Sequence, residues 1–157
     1  MSPSPGRVTA AVDTDFVVLL IGMRVNGIRN FRRTWRLFSA MSGMIRELSG
    51  DRTTGYLGGE SWFGNPTIMV QYWRSFDHLE GYARSQEHRH RPAWAAFNDA
   101  LRHGGQVGVW HEAYHVRPGE FETVYNNMPL FGLARATKSV PAIGRRETAS
   151  GRRGTAH

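Results

Sequence analysis

The chain has 157 residues, 40% of them hydrophobic and 11% aromatic, which suits one folded domain with a single core and leaves too little for two. It holds no cysteine, which removes disulfides, thiolate nucleophiles, cysteine-ligated haem, iron-sulfur clusters and sulfur-dependent zinc sites. The formal charge is +7, but from Arg135 onward six basic residues face one acid, so that tail carries +5 and residues 1–134 carry +2. A basic terminus of this kind is ordinarily solvated, and nucleic acid is not taken as a partner.

Residues 1–12 are rich in Ser, Pro and Gly without periodicity and read as a flexible arm. Phe16 to Val25 is β-branched and almost continuously apolar, the pattern of a strand covered on both faces and therefore central in its sheet. Its apolar core is too short to span a bilayer and lacks the basic leader and cleavage pattern of a signal peptide, so a cytoplasmic protein with no membrane partner is expected. Asn30 then offers a helix cap, and Phe31, Trp35, Phe38, Met41, Ile45 and Leu48 recur at spacings of three and four, an amphipathic helix ended by Ser49-Gly50.

Gly55 to Phe63 reads as a short, glycine-interrupted strand turned by Gly64-Asn65-Pro66 into a second strand, Thr67 to Trp73. On that strand Met69, Gln71 and Trp73 share one face, and Ile68, Val70 and Tyr72 the other. Gln71 or Tyr72 either orients a ligand or is a satisfied polar group within a core. A helix follows, opened by Ser75-Phe76-Asp77, with Asp77 and Glu80 spaced as a capping box. The polar run Ser85 to Arg91 separates it from a further helix that Pro92 restarts, which places His88 and His90 at a junction between helical pieces. Gly104-Gly105 ends that helix, and Gln106 to Val116 reads as the closing strand.

His111 to His115 spells HExxH, the zinc-protease signature, whose chemistry needs both histidines on one helical face. Here Val107, Val109, Trp110, Tyr114 and Val116 favour a strand, on which the two imidazoles stand about 13 Å apart. No metal site is expected. Phe121 to Tyr125 can form a last short strand, and the apolar, proline- and glycine-marked segment from Asn126 to Leu133 is expected to cover a partner subunit or a pocket mouth. The domain is taken as 13–138 and the remainder, 139–157, as a basic disordered tail.

Several separated stretches resemble one known family. Leu20 to Asn26, Ala40-Met41 through Leu48, Gln71 to Ser75 with Leu79-Glu80 and Tyr82-Ala83, His90 with Trp94 and Phe97, Val107-Gly108 with Trp110 to Glu112 and Tyr114, and Tyr125 through Leu133 look like the monooxygenase-like proteins of the dimeric α+β barrel superfamily, akin to antibiotic biosynthesis monooxygenases. The resemblance implies an α+β fold, a ferredoxin-like βαββαβ subunit that pairs with a second copy. Leu130 departs from the second proline that the family pattern carries after Pro129.

The resemblance implies, first, a cofactor-free monooxygenase for a hydrophobic aromatic or polyketide-like metabolite of secondary metabolism. In that reading His111 is the base, Arg24 holds an enolate or phenolate, Tyr72 is a third catalytic group, and Asn26, Gln71, Trp73 and Tyr125 bind the substrate. An alternative is a haem enzyme, an oxygenase or one like an aldoxime dehydratase, with haem b held noncovalently by His90 or His88. A third reading is a non-catalytic dimeric ligand-binding accessory protein.

Overall fold

The computed structural model of the protein describes residues 5–27, 48–84 and 107–153. Within them the chain forms β1 (Arg7–Ala10), β2 (Phe16–Val25), β3 (Tyr56–Trp62), β4 (Ile68–Trp73), α1 (Phe76–Arg84), β5 (Val107–Val116), β6 (Tyr125–Asn126), α2 (Gly132–Ala136), β7 (Ser139–Pro141) and α3 (Ala149–Arg153), with 3-10 turns at Arg52–Thr54 and Gly144–Glu147.

The main sheet has the order β3-β4-β2-β5, antiparallel at every pairing. The first and third of its strands are therefore central, and the second and fourth form the edges. That is the ferredoxin-like arrangement of two interleaved β-α-β units. Residues 48–50 are helical before β3, and α1 follows β4. The expected helices across residues 28–47 and 85–106 lie outside the described residues.

β2 pairs along its length with β5 and over Val17 to Ile21 with β4. Its continuous apolar run is explained by two cores, one on each side of the sheet. On one face Val17 and Leu19 pack with Leu48, Trp73 and Tyr82, and with Ile21, Tyr56 and Leu79. On the other face Phe16 and Val18 meet Tyr72, Leu57 and Val116, covered by Ala10, Val12, Phe121, Tyr125, Leu133 and Ala134. The segment expected to cover a partner or a pocket mouth thus closes, in part, over its own sheet.

Local signals set the connections. Ser75, one residue before α1, accepts the His78 N–H (3.3 Å) and meets the His78 Nδ1 at 2.8 Å, so Ser75 caps this helix in place of the Asp77-Glu80 box. Asn65 bonds both the N–H and the carbonyl of Val25 through its amide (2.9 and 3.1 Å). It thereby ties the β3–β4 turn to the end of β2.

The termini differ from the sequence expectation. Residues 7–10, read as part of a flexible arm, form β1 at the centre of a second sheet, β6-β1-β7. The stretch read as a disordered tail from 139 supplies β7 and α3. Arg152 is 8% exposed, held by the Glu122 carboxylate and by the carbonyls of Arg146 and Glu147 at 2.9 and 2.8 Å. β1 and β7 carry no period of their own because they pair with each other across more than a hundred residues, and a ladder between distant segments leaves no local trace. The short strand expected over Phe121 to Tyr125 is β6, which begins only at Tyr125 because Thr123 is committed elsewhere: its carbonyl accepts the Thr9 hydroxyl (2.7 Å) and its own hydroxyl accepts the Ala10 N–H (2.9 Å).

Candidate functional site

Strand register sorts the sequence-predicted residues onto opposite faces. Leu19 pairs with Gln71 on one side and Ala113 on the other, and Ile21 pairs with Met69 and His111. Side chains directly paired across antiparallel strands share a face, so Gln71 and His111 stand on the same face, the one packed by Leu48 and α1. Two strand spacings across and two residues along put their Cα atoms roughly 12 Å apart. Ile21, Met69, Leu19 and Ala113 form the floor between them. His111 is exposed, whereas Gln71 is buried.

Trp73, the expected substrate contact, is 1% exposed. Its ring packs edge-on against Tyr56 (5.4 Å, 70°) and tilted on Tyr82 (5.6 Å), and its Nε1–H donates to the Gln71 Oε1 at 2.9 Å. Indole nitrogen is only a donor, so this bond fixes the Gln71 carbonyl inward and turns its NH2 the other way. Trp73 therefore sets the orientation of the Gln71 amide.

Arg24 pairs with Gly108 on β5 and belongs to the opposite face, where it is exposed. Asn26 follows the end of β2, its Nδ2 against Gly108. Neither shares a face with His111, so the expectation that Arg24 and His111 act on one bound molecule is not met within a single subunit.

Tyr72 and Tyr125 come together on that second face, beneath α2. The Ala134 N–H donates to the Tyr125 hydroxyl (3.4 Å), and the Tyr72 ring packs in the same cluster as Leu133 and Ala134. Burial, with Tyr125 and Glu60 nearby, pushes the Tyr72 phenol up to about 12. Burial also raises Tyr125, against the opposing bonds from Ala134, Leu133 and Thr123. The two phenols, one of them accepting a backbone bond, serve as struts for α2.

Glu60 was not singled out from sequence. Its carboxylate accepts the Gly132 N–H (3.0 Å) and pairs with Arg135 (3.0 Å), while Arg135 also donates to the Gly59 carbonyl at 2.6 Å. The available signal was a lone acid within a strand of small and apolar residues. Gly132 adopts φ +55, and a side chain there would meet both phenol oxygens at 3.2–3.3 Å. Only glycine fits that position without strain.

His111 and His115 lie on β5 as expected, and His115 is engaged by Asp15 (2.9 Å). Among the described residues no group of three or more His, Cys, Asp or Glu is arranged to hold a metal ion. His88 and His90, the haem-ligand candidates, lie outside the described residues.

A protein from Aspergillus fumigatus described as "Monooxygenase af470" is 29% identical over 83 residues, which make up 53% of this chain. The match spans only 29% of that protein's length. A solved structure described as a dimeric ferredoxin-like protein of unknown function, from Jannaschia sp. CCS1, aligns with a TM-score of 0.42 and 15% identity over 62% of this chain and 97% of that one. The model of the Monooxygenase af470-like family matches residues 16–133, from the first residue of β2 through the Tyr72–Tyr125 struts to α2. The chain belongs to the Monooxygenase af470-like family.

Proposed function

We propose that this chain is a monooxygenase for a small hydrophobic metabolite, of aromatic or polyketide-like character, bound on the Leu48 and α1 face of the sheet. The observation that carries this reading is the placement of His111 and Gln71 on one face across an apolar floor. An imidazole is a competent general base, and a fixed amide NH2 is a directional donor to a carbonyl or enolate oxygen. The separation suits a substrate of one or two rings lying between them.

In this mechanism His111 takes a proton from an acidified methylene, and the Gln71 amide holds the resulting enolate. The carbanion supplies electrons to dioxygen, and the apolar floor excludes water from the charged intermediate. One oxygen atom enters as a new carbonyl and the other leaves as water, so that a CH2 group and O2 become C=O and H2O. No cofactor is required by this sequence of steps. Arg24, Asn26, Tyr72 and Tyr125 fall outside this set.

A homodimer accompanies the proposal. On the second face, beyond the cover given by α2, Ile68 (38% exposed) and Tyr114 (50%) are open, with Trp62 (45%) and Leu130 (46%) nearby. A second copy set against this face would remove them from water. No helix among the described residues is long and apolar enough to cross a membrane, and a cytoplasmic location is part of the same reading.

Incubating the protein with heavy-isotope dioxygen and a panel of hydroxylated bicyclic aromatics tests the reaction class. The reading requires one labelled atom in the product and one in water. Label confined to peroxide, or product labelled from solvent, would contradict it.

A further inference from the structure

At one end of the sheet, away from His111 and Gln71, a cleft of about 850 Å3 opens between residues 11–16, Leu57, Arg74 and residues 136–138. Its volume lies within the range of small-molecule sites. Val12, Phe16 and Leu57 supply apolar wall, and the charged lining residues Asp13, Asp15, Arg74 and Lys138 are exposed. The two walls are joined: the Ala11 N–H donates to the Lys138 carbonyl at 2.9 Å, which extends the β1–β7 ladder to the cleft.

The charges decide the ligand class. Asp15 is held by the His115 Nε2 at 2.9 Å. The lining carries two acids and two cations, and of these Arg74 and Lys138 make no side-chain ion pair among the described residues, so both cations can meet a ligand's anion. An apolar wall beside two cations without a side-chain ion pair suits a molecule with an apolar body and one anionic end. We infer that this cleft is a second binding site, for a small carboxylate with an aromatic or short aliphatic body, with Arg74 and Lys138 as its anion contacts.

Lys138 is the only lysine in the chain, which gives the inference a direct readout. Benzoate is the probe and benzamide its neutral counterpart, with binding followed by calorimetry and amine acylation followed by mass spectrometry. Benzoate is expected to bind, to slow acylation of Lys138 relative to the chain's α-amino group, and to bind about tenfold more weakly to R74Q or K138Q. His111→Ala is expected to leave this binding unchanged, which separates the cleft from the proposed oxygenase face. The inference is overturned if benzamide binds as tightly as benzoate, if benzoate does not protect Lys138, or if H111A abolishes binding while R74Q and K138Q keep it. The footprint on the unsubstituted protein decides the matter should either variant fail to fold.

Discussion

The Trp73 indole donates to the Gln71 side-chain carbonyl at 2.9 Å, two residues apart on β4, inside the core shared with Val17, Leu19, Leu48 and Tyr82. One bond thus joins the packing of that core to the orientation of the amide proposed to hold substrate. Loss of Gln71 leaves a buried N–H without its acceptor, which costs about 1–3 kcal/mol. Q71L is expected to lose that much stability in urea unfolding. In a double-mutant cycle with W73F, the second substitution should cost less in the Q71L background than in the parent. Strict additivity would show that the two side chains are not coupled.

Gly132 stands at φ +55 beside the Tyr72 and Tyr125 hydroxyls. Replacement by alanine imposes left-handed backbone strain and crowds both phenols, with an expected loss of about 1–3 kcal/mol. Thermal unfolding of G132A measures it. An unchanged melting temperature would contradict the close approach of α2 to the two phenols.

The Tyr72 phenol, pushed up to about 12 by burial, predicts loss of stability in alkali. Between the ordinary tyrosine value near 10 and about 12 the unfolded chain releases this proton while the folded chain keeps it. The unfolded state then binds fewer protons, and stability falls as pH rises. The contribution is fully present below about 10 and lost by about 12. Tyr125 and Tyr56, both raised by burial, act in the same direction. Allowing for solvent screening of a half-buried group, Tyr72 accounts for about 1–2 kcal/mol. Y72F should flatten this slope, and ultraviolet titration should show phenolate forming late.

The open apolar residues on the second sheet face predict that light scattering finds twice the chain mass. Ile68→Asp, which puts a charge into the proposed interface, should give single chains with unaltered far-UV circular dichroism. A parent protein that runs as a single chain at tens of micromolar would contradict the proposed dimer.

How much of this was legible in the sequence depended on the range of the interaction. The unbroken apolar run of β2 announced a strand buried on both faces, and the alternation along β4 correctly separated Gln71 from Tyr72. Both are local periodicities. The stretch that spells HExxH is a strand, as the valines and aromatics around His111 indicate, because they are stronger evidence for a strand than two histidines are for a helix. What escaped was non-local: β1 pairs with β6 and β7 from the far end of the chain, and the burial of Arg152 depends on Glu122, thirty positions earlier. The division of the candidate residues between faces is a matter of register. Arg24 and His111 were grouped by chemistry, yet Arg24 pairs with Gly108 while His111 pairs with Ile21, and that parity sends them to opposite sides.

In the proposed reaction His111 is the base on a substrate-binding sheet face. Oxygen uptake by the parent protein and by His111→Ala, with a phenolic bicyclic substrate identified by screening, tests it most directly. Substrate-dependent uptake is expected to fall about a hundredfold or more in H111A with the fold unaltered by circular dichroism. Uptake that persists at the parent rate in H111A would contradict the account.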